Sequence, residues 1–190
     1  MKYLVRVPIK SIVGTYGAHK IVYESVDCPR PLWRRFLDHA LVLADHSHAS
    51  LPSKPYDPSP QNGMRVHFDL LANVSVDKAS KDGGRQRVDP ILQAWIDSGK
   101  KDGWQTLGFD VGSQWLEARQ GKNGFVIQKL DVANYSTLEF VRQAMPVRIG
   151  TVAFSGVLQI ADAEKFRDAM TMGIGHSRAW GCGLLLCKRI

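Results

Sequence analysis

A tyrosine, a histidine and a lysine stand close together near the start of the chain, at Tyr16, His19 and Lys20. Histidine titrates near neutral pH, so it can take up and release a proton during a reaction. Tyr16 precedes His19 by one helical turn, which places both side chains on one face of a helix. Together with the positive charge of Lys20, they form a candidate site for acid–base chemistry on an anionic substrate. The alternatives are a surface histidine, a packed tyrosine and a solvated lysine.

A glycine-rich segment near the end of the chain is the second candidate site, and the apolar run 184–186 follows it. Glycine has no Cβ, so such a segment can bring backbone N–H groups close to a phosphate. It follows a helical pattern and precedes a strand, the reverse of the order in dinucleotide-binding loops. This order favours a polyanion held against a sheet, and no bound cofactor is expected. The candidate residues are Gly173, Gly175, His176, Ser177, Arg178, Gly181 and Gly183.

Positive charge is in excess along the whole chain. The 190 residues include 25 Lys and Arg against 18 Asp and Glu, a net charge of +7, and the isoelectric point is about 9.5. This surplus favours a polyanionic partner, although a soluble basic protein has the same composition. A glycine-containing segment predicted to be an exposed loop carries part of the charge, and it is either a phosphate track or an ordinary solvated loop. Its basic residues are Lys78, Lys81, Arg85 and Arg87.

Other kinds of site have little support in the residue pattern. His46 and His48 are two residues apart and lack carboxylates or thiolates at the usual ligand spacing, so no metal site is predicted. The three cysteines form no CxxC pair, which fits reduced thiols. No run of about 18 apolar residues could span a membrane, and Arg6 stands where a signal peptide needs its apolar core. We therefore expect a cytoplasmic protein with no membrane association.

The first half of the chain predicts strands with one helix. Alternating apolar residues indicate a strand over 3–10, and apolar spacing indicates a helix over 16–26. The segment 32–44 fits either a helix or two short strands. Four prolines predict a loop over 51–62, and a clear alternation predicts a strand over 64–70.

The second half predicts further strands between two helices. Asp89 and Pro90 are an N-cap and a first helical residue, so a helix is expected to run to 98. Strands are predicted at 104–111, 114–119, 125–132 and 147–160, with a turn at 121–124. A helix over 162–172 and a last strand after the glycines complete the chain.

This order of elements predicts an α+β fold. Each half contains enough strands and helices for one split βαβ unit, the ferredoxin-like module. A break in the basic segment divides the chain into an N-terminal domain, 1–80, with the Tyr–His pair, and a C-terminal domain, 89–190, with the glycine-rich segment.

Three features in order resemble one known family. The first is Tyr-Gly-Ala-His at 16–19, and the second is Pro-Tyr-Asp-Pro at 55–58 followed by the strand region 63–73. The third is Phe-Ser-Gly-Val-Leu at 154–158, which leads through a helix to the glycine-rich segment. Together they resemble the CasE-type CRISPR repeat-processing endoribonucleases. The resemblance covers essentially the whole chain and is most specific in the C-terminal third.

The resemblance implies both a fold and an activity. The fold would be two tandem ferredoxin-like (RNA-recognition-like) domains, with the segment 32–44 as a strand pair. The activity would be metal-independent cleavage of CRISPR precursor RNA within each repeat, at the 3′ base of a stem-loop, leaving a 2′,3′-cyclic phosphate and a 5′-hydroxyl. The protein, a monomer when isolated, would then keep the crRNA stem-loop as a subunit of a Cascade-type complex.

The resemblance also implies roles for single residues. His19 occupies the position of the family's catalytic histidine, as general base or acid, and Tyr16 would position the 2′-hydroxyl or the phosphate. The glycine-rich and basic segments would bind RNA, and Trp180 is the tryptophan expected to stack on a base. Glu24 replaces a lysine that some members carry five residues after the histidine, so Lys20 is expected to supply the cation.

Two alternatives remain at this stage. Glu24, and Thr15 in place of a frequent proline, leave open a stem-loop-binding subunit with weak or lost cleavage. A small-molecule enzyme that uses the glycine-rich segment as an anion site is the other alternative. The chain lacks the GxGxxG order and the Walker lysine that such an enzyme would carry.

Overall fold

A computed structural model describes residues 2–80, 82–133 and 135–190. The predicted RNA contact Lys81 lies outside these ranges. None of the helices in the described part of the chain has the length and apolar character needed to cross a membrane.

The first sheet comes from the N-terminal part of the chain and carries one helix. Val5 and Val7 of its first strand, together with Trp33, pack against Ala18 and Val22 of the helix, and all five side chains are buried. The predicted strand, helix and strand pair are therefore confirmed. The elements are β1 (Lys2–Pro8), α1 (Thr15–Ser25), β2 (Leu32–Arg35), β3 (His39–Ala44) and β4 (Ser53–Tyr56), and the strand order is β2-β3-β1-β4.

Strand β4 corrects the predicted loop over 51–62. Among the described residues it pairs with β1 alone, at the edge of the sheet, and Pro55 lies opposite Tyr3. An edge strand tolerates proline because its outward side has no ladder hydrogen bond to lose. The interpretation as a loop was therefore wrong for 53–56 and is confirmed for 51–52 and 57–62.

The basic segment is also more regular than predicted. After β5 (Arg65–Asn73), strands β6 (Val76–Ala79) and β7 (Arg85–Val88) pair as an antiparallel hairpin. Lys78, Arg85 and Arg87 are exposed on it, as expected for this segment. The interpretation as a loop was wrong for these two short strands, which hydrogen bond to each other, and the backbone N–H of Ser80 donates to the carbonyl oxygen of Gly84 where they are joined.

Helices α2 (Pro90–Asp97), α3 (Trp104–Glu117) and α4 (Gln120–Asn123) come next. The Asp89 side chain accepts from the backbone N–H groups of Ile91 and Leu92, which confirms the predicted N-cap. The strands predicted at 104–111 and 114–119 are wrong, because both lie within α3, and the predicted turn at 121–124 overlaps α4. The helix was not predicted because Gly108 and Gly112 lower the helix propensity of this segment. Their missing side chains admit Tyr135 and Phe154 against the helix.

The second sheet contains β5 and the remaining strands. Its strand order is β11-β5-β10-β8, and β9 pairs with the first half of β10. The predicted strands over 125–132 and 147–160 and the predicted helix over 162–172 are confirmed, whereas β9 was missed. The remaining elements are β8 (Phe125–Val132), β9 (Ser136–Arg142), β10 (Met145–Ile160), α5 (Ala163–Met172), a 3₁₀ turn (Arg178–Trp180) and β11 (Leu185–Arg189).

The two sheets have the same internal order. In each, once β9 is left out of the second sheet, the first strand lies between the third and fourth strands, and the second strand lies beyond the third. This equivalence confirms an α+β fold of two split βαβ units. β5 precedes the predicted division at 80–89, yet it pairs with β10 and β11. From this pairing we propose that the two units divide between β4 and β5.

The two units contact each other through apolar and polar groups. Leu4, Leu32 and Leu43 of the first unit are buried against Leu184 of the second. Beside them, an ion pair joins Arg34 to Asp69. The Tyr56 hydroxyl donates to the carbonyl oxygen of Leu185, 3.3 Å away, and accepts from the backbone N–H of Cys187 at 2.6 Å. These contacts form the seam between the two units.

Candidate active site

An aromatic cluster at this seam contains the predicted tyrosine and histidine. Tyr16, His19 and Tyr23 follow one face of α1, because residues three and four apart are neighbours on a helix. The ring centroids of His19 and Tyr23 are 4.2 Å apart, and those of Tyr16 and His19 are 6.3 Å apart. The second unit contributes Phe140 of β9 and Trp180 of the 3₁₀ turn, with ring centroids 4.2 Å apart. The cluster is therefore assembled from both units.

His19 makes the central polar contact of the cluster. Its Nδ1 lies 2.8 Å from the carbonyl oxygen of Ala179 in the 3₁₀ turn. A carbonyl oxygen only accepts hydrogen bonds, so Nδ1 carries the proton and donates it. The neutral imidazole then keeps a free electron pair on Nε2. Trp180 covers part of the ring, with centroids 4.6 Å apart. His19 is half-buried, held in one orientation, and able to accept a proton at Nε2.

Tyr16 and Lys20 lie next to each other on the outer side of the cluster. The ammonium group of Lys20 is 4.9 Å from the centre of the Tyr16 ring, within the range of a cation–π contact. Tyr16 is half-buried, and Lys20 is exposed. Glu24, one turn further along α1, is also exposed. The structure thus brings together the three residues predicted to act on the substrate, with an exposed cation at the rim.

The glycine-rich segment packs tightly against the protein itself. The backbone N–H groups of Gly173, Gly181 and Gly183 donate to the carbonyl oxygens of Ala169, Arg178 and Leu71, respectively. These three N–H groups are therefore already hydrogen bonded within the protein. A prediction of RNA contact for this segment rests on its more accessible residues, which are Gly175, His176, Ser177 and Arg178.

A basic groove lies beside this segment. Arg119, Lys122, Lys165 and Arg178 line it together with His176, and Asp168 is the acidic residue in the lining. Burial and the nearby positive charge of Arg87 lower the pKa of His176. The hairpin and the glycine-rich segment are therefore close enough to interact electrostatically, as a shared anion site requires. Arg87 is itself 3.3 Å from the carboxylate of Asp77.

Sequence reasoning missed three groups of the candidate site. Phe140 lies on β9, whose alternation of Leu138 and Phe140 with polar residues was a usable signal for a strand. The Ala179 carbonyl is a backbone group, so no residue type in the sequence indicates its role. Trp33 was not predicted to be part of the site, yet its indole N–H lies 3.3 Å from the same carbonyl oxygen.

The other histidines and the cysteines form no second candidate site in the described residues. In residues 2–80, 82–133 and 135–190, no three His, Cys, Asp or Glu side chains are grouped as metal ligands. Burial raises the pKa of the Cys182 and Cys187 thiols to about 12. These two thiols are therefore protonated and unreactive at neutral pH.

Comparison with known proteins gives one family and several similar folds. No curated protein matches the chain. The crystal structure of the CRISPR-associated protein Cas6e from Escherichia coli K-12 matches with 21% identity, a TM-score of 0.69 and full coverage of both chains. Thermus thermophilus Cse3, bound to an RNA representing a pre-cleavage complex, matches with 23% identity, a TM-score of 0.68 and 98% coverage of both chains.

A third similar chain comes from a structure described as a CRISPR RNA-guided surveillance complex. It has 19% identity and a TM-score of 0.66, and the match covers 99% of this chain and 100% of that one. The likeness to these three structures shows a common fold. A family model for CRISPR-associated proteins matches residues 18–189. The chain therefore belongs to this family of CRISPR-associated proteins.

Proposed function

We propose that this protein is a metal-independent endoribonuclease that cleaves CRISPR precursor RNA within each repeat, at the 3′ base of a stem-loop. One observation carries the proposal: His19 donates from Nδ1 to a backbone carbonyl and keeps Nε2 free to take a proton. Support also comes from the similar Cse3, which is bound to RNA in a pre-cleavage complex. We further propose that the crRNA stays bound and that the protein is a Cascade-type subunit in the cytoplasm, since a similar chain is part of a surveillance complex.

The proposed reaction uses the RNA's own 2′-hydroxyl as the nucleophile. Nε2 of His19 takes the hydroxyl proton, and the 2′-oxygen attacks the adjacent phosphorus. The bond from phosphorus to the 5′-oxygen breaks, and this oxygen receives a proton. The products are a 2′,3′-cyclic phosphate and a 5′-hydroxyl. The protonated His19 is a group in the site that can return the proton.

Tyr16 and Lys20 supply orientation and charge in this scheme. The Tyr16 ring is held between α1 and β9, with ring centroids of Tyr16 and Phe140 6.4 Å apart. Its hydroxyl is proposed to donate to the 2′-oxygen or to the phosphate. Lys20 stands over this ring and opposes the negative charge that builds up on the phosphorane. Its exposure allows the side chain to reach a phosphate at the rim.

The basic surface is proposed to hold the RNA stem. An A-form stem is recognised mainly through its backbone and shape, because its deep major groove is inaccessible to side chains. The groove beside the glycine-rich segment and the β6–β7 hairpin offer cations for such contacts. Each phosphate contact should appear as salt dependence of the affinity.

The test is cleavage of the chain's own repeat RNA in EDTA. A matched RNA carries a 2′-deoxy nucleotide immediately 5′ of the scissile phosphate. We expect cleavage of the first RNA and none of the second. His19→Ala should lower the single-turnover rate by about 10²- to 10⁴-fold, the usual contribution of a general acid–base group, with RNA affinity unchanged. Undiminished cleavage by this variant would refute the role of His19.

A second candidate function keeps RNA binding without cleavage. Glu24 favours it, because an exposed carboxylate on the same helix as His19 and Lys20 repels a phosphate. The protein would then be a stem-loop-binding subunit of a Cascade-like complex. Tight binding of the repeat with no cleavage of either RNA would support this function over the first.

A further inference from the structure

We propose that Trp33 is a positioning residue for His19, an inference that rests on the proposed function. The indole N–H of Trp33 and Nδ1 of His19 both donate to the carbonyl oxygen of Ala179, at 3.3 Å and 2.8 Å. A carbonyl oxygen has two electron pairs and accepts two such donors. Trp33 therefore holds in place the acceptor that orients the histidine.

The fold fixes Trp33 more firmly than it fixes His19. Trp33 lies on β2 opposite Val42 of β3 and is only 1% exposed, whereas His19 is half-buried. Its ring passes close to Gly181, where a Cβ would lie 3.1 Å from Cζ3 of the indole. Gly181 has φ +85°, a backbone conformation that suits glycine. The glycine thus lets the 3₁₀ turn approach the indole closely enough for the hydrogen bond.

The two donors and the acceptor belong to different units of the fold. His19 and Trp33 come from α1 and β2 of the first unit, and Ala179 comes from the second. The next residue on β2, Arg34, forms an ion pair with Asp69 of β5 across the same seam. The orientation of the histidine therefore depends on how the two units dock, and β2 carries both the ion pair and the indole.

This arrangement sets the tautomer of the neutral imidazole. The hydrogen bond made by one ring nitrogen determines which of the two nitrogens carries the proton. A fixed carbonyl acceptor at Nδ1 favours the Nδ1–H form, which leaves Nε2 as the base. A carbonyl that has lost its second donor is free to turn away, and the Nε2–H form then increases.

The experiment compares Trp33→Phe with Trp115→Phe. Both substitutions remove a buried indole from a core, but the indole N–H of Trp115 has no partner among the described residues. Nitrogen-15 NMR of the imidazole reports the His19 tautomer, and single-turnover cleavage across a pH series reports its function. In W33F we expect a smaller Nδ1–H fraction and a rate lower by roughly 2- to 10-fold, the worth of one hydrogen bond. W115F should keep both at the wild-type values.

The outcomes separate this inference from the proposed function. If H19A abolishes cleavage while W33F matches W115F in tautomer and rate, the function stands and the role of Trp33 is wrong. If the wild-type protein binds the repeat without cutting it, the tautomer measurement alone decides the inference. If W33F does not fold, replacing tryptophan by benzothienylalanine removes the N–H and keeps the ring shape, and an unchanged His19 tautomer would overturn the inference.

Discussion

Substitution of Gly181 by alanine tests the link between the glycine-rich segment and the histidine. The position has φ +85°, which costs an L-residue about 1–2 kcal/mol. The new Cβ would lie 3.1 and 3.3 Å from two atoms of the Trp33 ring, closer than the usual carbon–carbon contact. The indole or the 3₁₀ turn must shift by a few tenths of an ångström. We therefore expect a loss of about 2–3 kcal/mol in the free energy of unfolding.

The same shift should slow cleavage. A misplacement of about 1 Å in a catalytic group costs about 100-fold in rate. A shift of 0.3–0.6 Å, scaled linearly in the activation free energy, corresponds to about 4- to 15-fold. Single-turnover cleavage of the repeat RNA at saturating protein measures this directly, and thermal unfolding measures the stability. For a chain of this size, the expected stability loss lowers Tm by about 4–12 °C.

Gly63→Ala is the matched control. Gly63 has φ +82°, close to that of Gly181, but nothing lies within 4 Å of its added Cβ. It should therefore lose stability through the backbone alone and keep the wild-type cleavage rate. If G181A cleaves as fast as G63A, the carbonyl of Ala179 does not need its observed position, and the orienting role of the glycine-rich segment is refuted.

Three further predictions concern charge and ionisation. Lys20→Met should lower the cleavage rate by about 10- to 100-fold, less than loss of a buried donor, with affinity nearly unchanged in filter binding. Since burial lowers the pKa of His176 below its ordinary 6.5, the unfolded chain binds more protons, and the free energy of unfolding should fall as pH drops below 6.5. RNA phosphate favours the charged imidazole, so affinity should rise over the same pH range, and His176→Gln should lose both trends. With a thiol pKa of about 12, Cys182 and Cys187 should resist iodoacetamide at pH 8 in the folded protein, while Cys28 reacts first. Equal labelling of all three by mass spectrometry would contradict this.

Local patterns predicted the elements that have strong periodicity. The alternation in β1 and β10 and the N-cap at Asp89 were sufficient, because each depends on residues close in the sequence. Helix α3 was missed because Gly108 and Gly112 lower helix propensity, and their benefit comes from distant partners. Tyr135 and Phe154 lie against these glycines, and neither contact can be read from the segment itself.

The side chains of the candidate site on α1 were predicted from the sequence, but the backbone group that orients His19 was not. His19, Tyr16 and Lys20 were found because helical spacing places them together and the family resemblance assigns their roles. The acceptor for His19 was not found, because a backbone carbonyl is present at every residue. Only the docking of the two units selects the one at Ala179.

The glycine-rich segment was identified as a phosphate site, but the structure shows that two of its glycines make room for side chains of the protein itself. Glycines indicate that a backbone must come close to something, and a phosphate and an indole ring make the same demand on the sequence. Here Gly181 lies against Trp33, and Gly173 lies against Leu32. Within this segment, different residues should therefore determine the catalytic geometry and the RNA affinity. Arg178→Ala, at an exposed position in the basic groove, should weaken RNA binding and flatten its salt dependence, with the cleavage rate at saturating protein unchanged. G181A should instead lower that cleavage rate and leave the RNA affinity and its salt dependence unchanged. Equal effects of both variants on affinity would mean that RNA contacts the glycines after all.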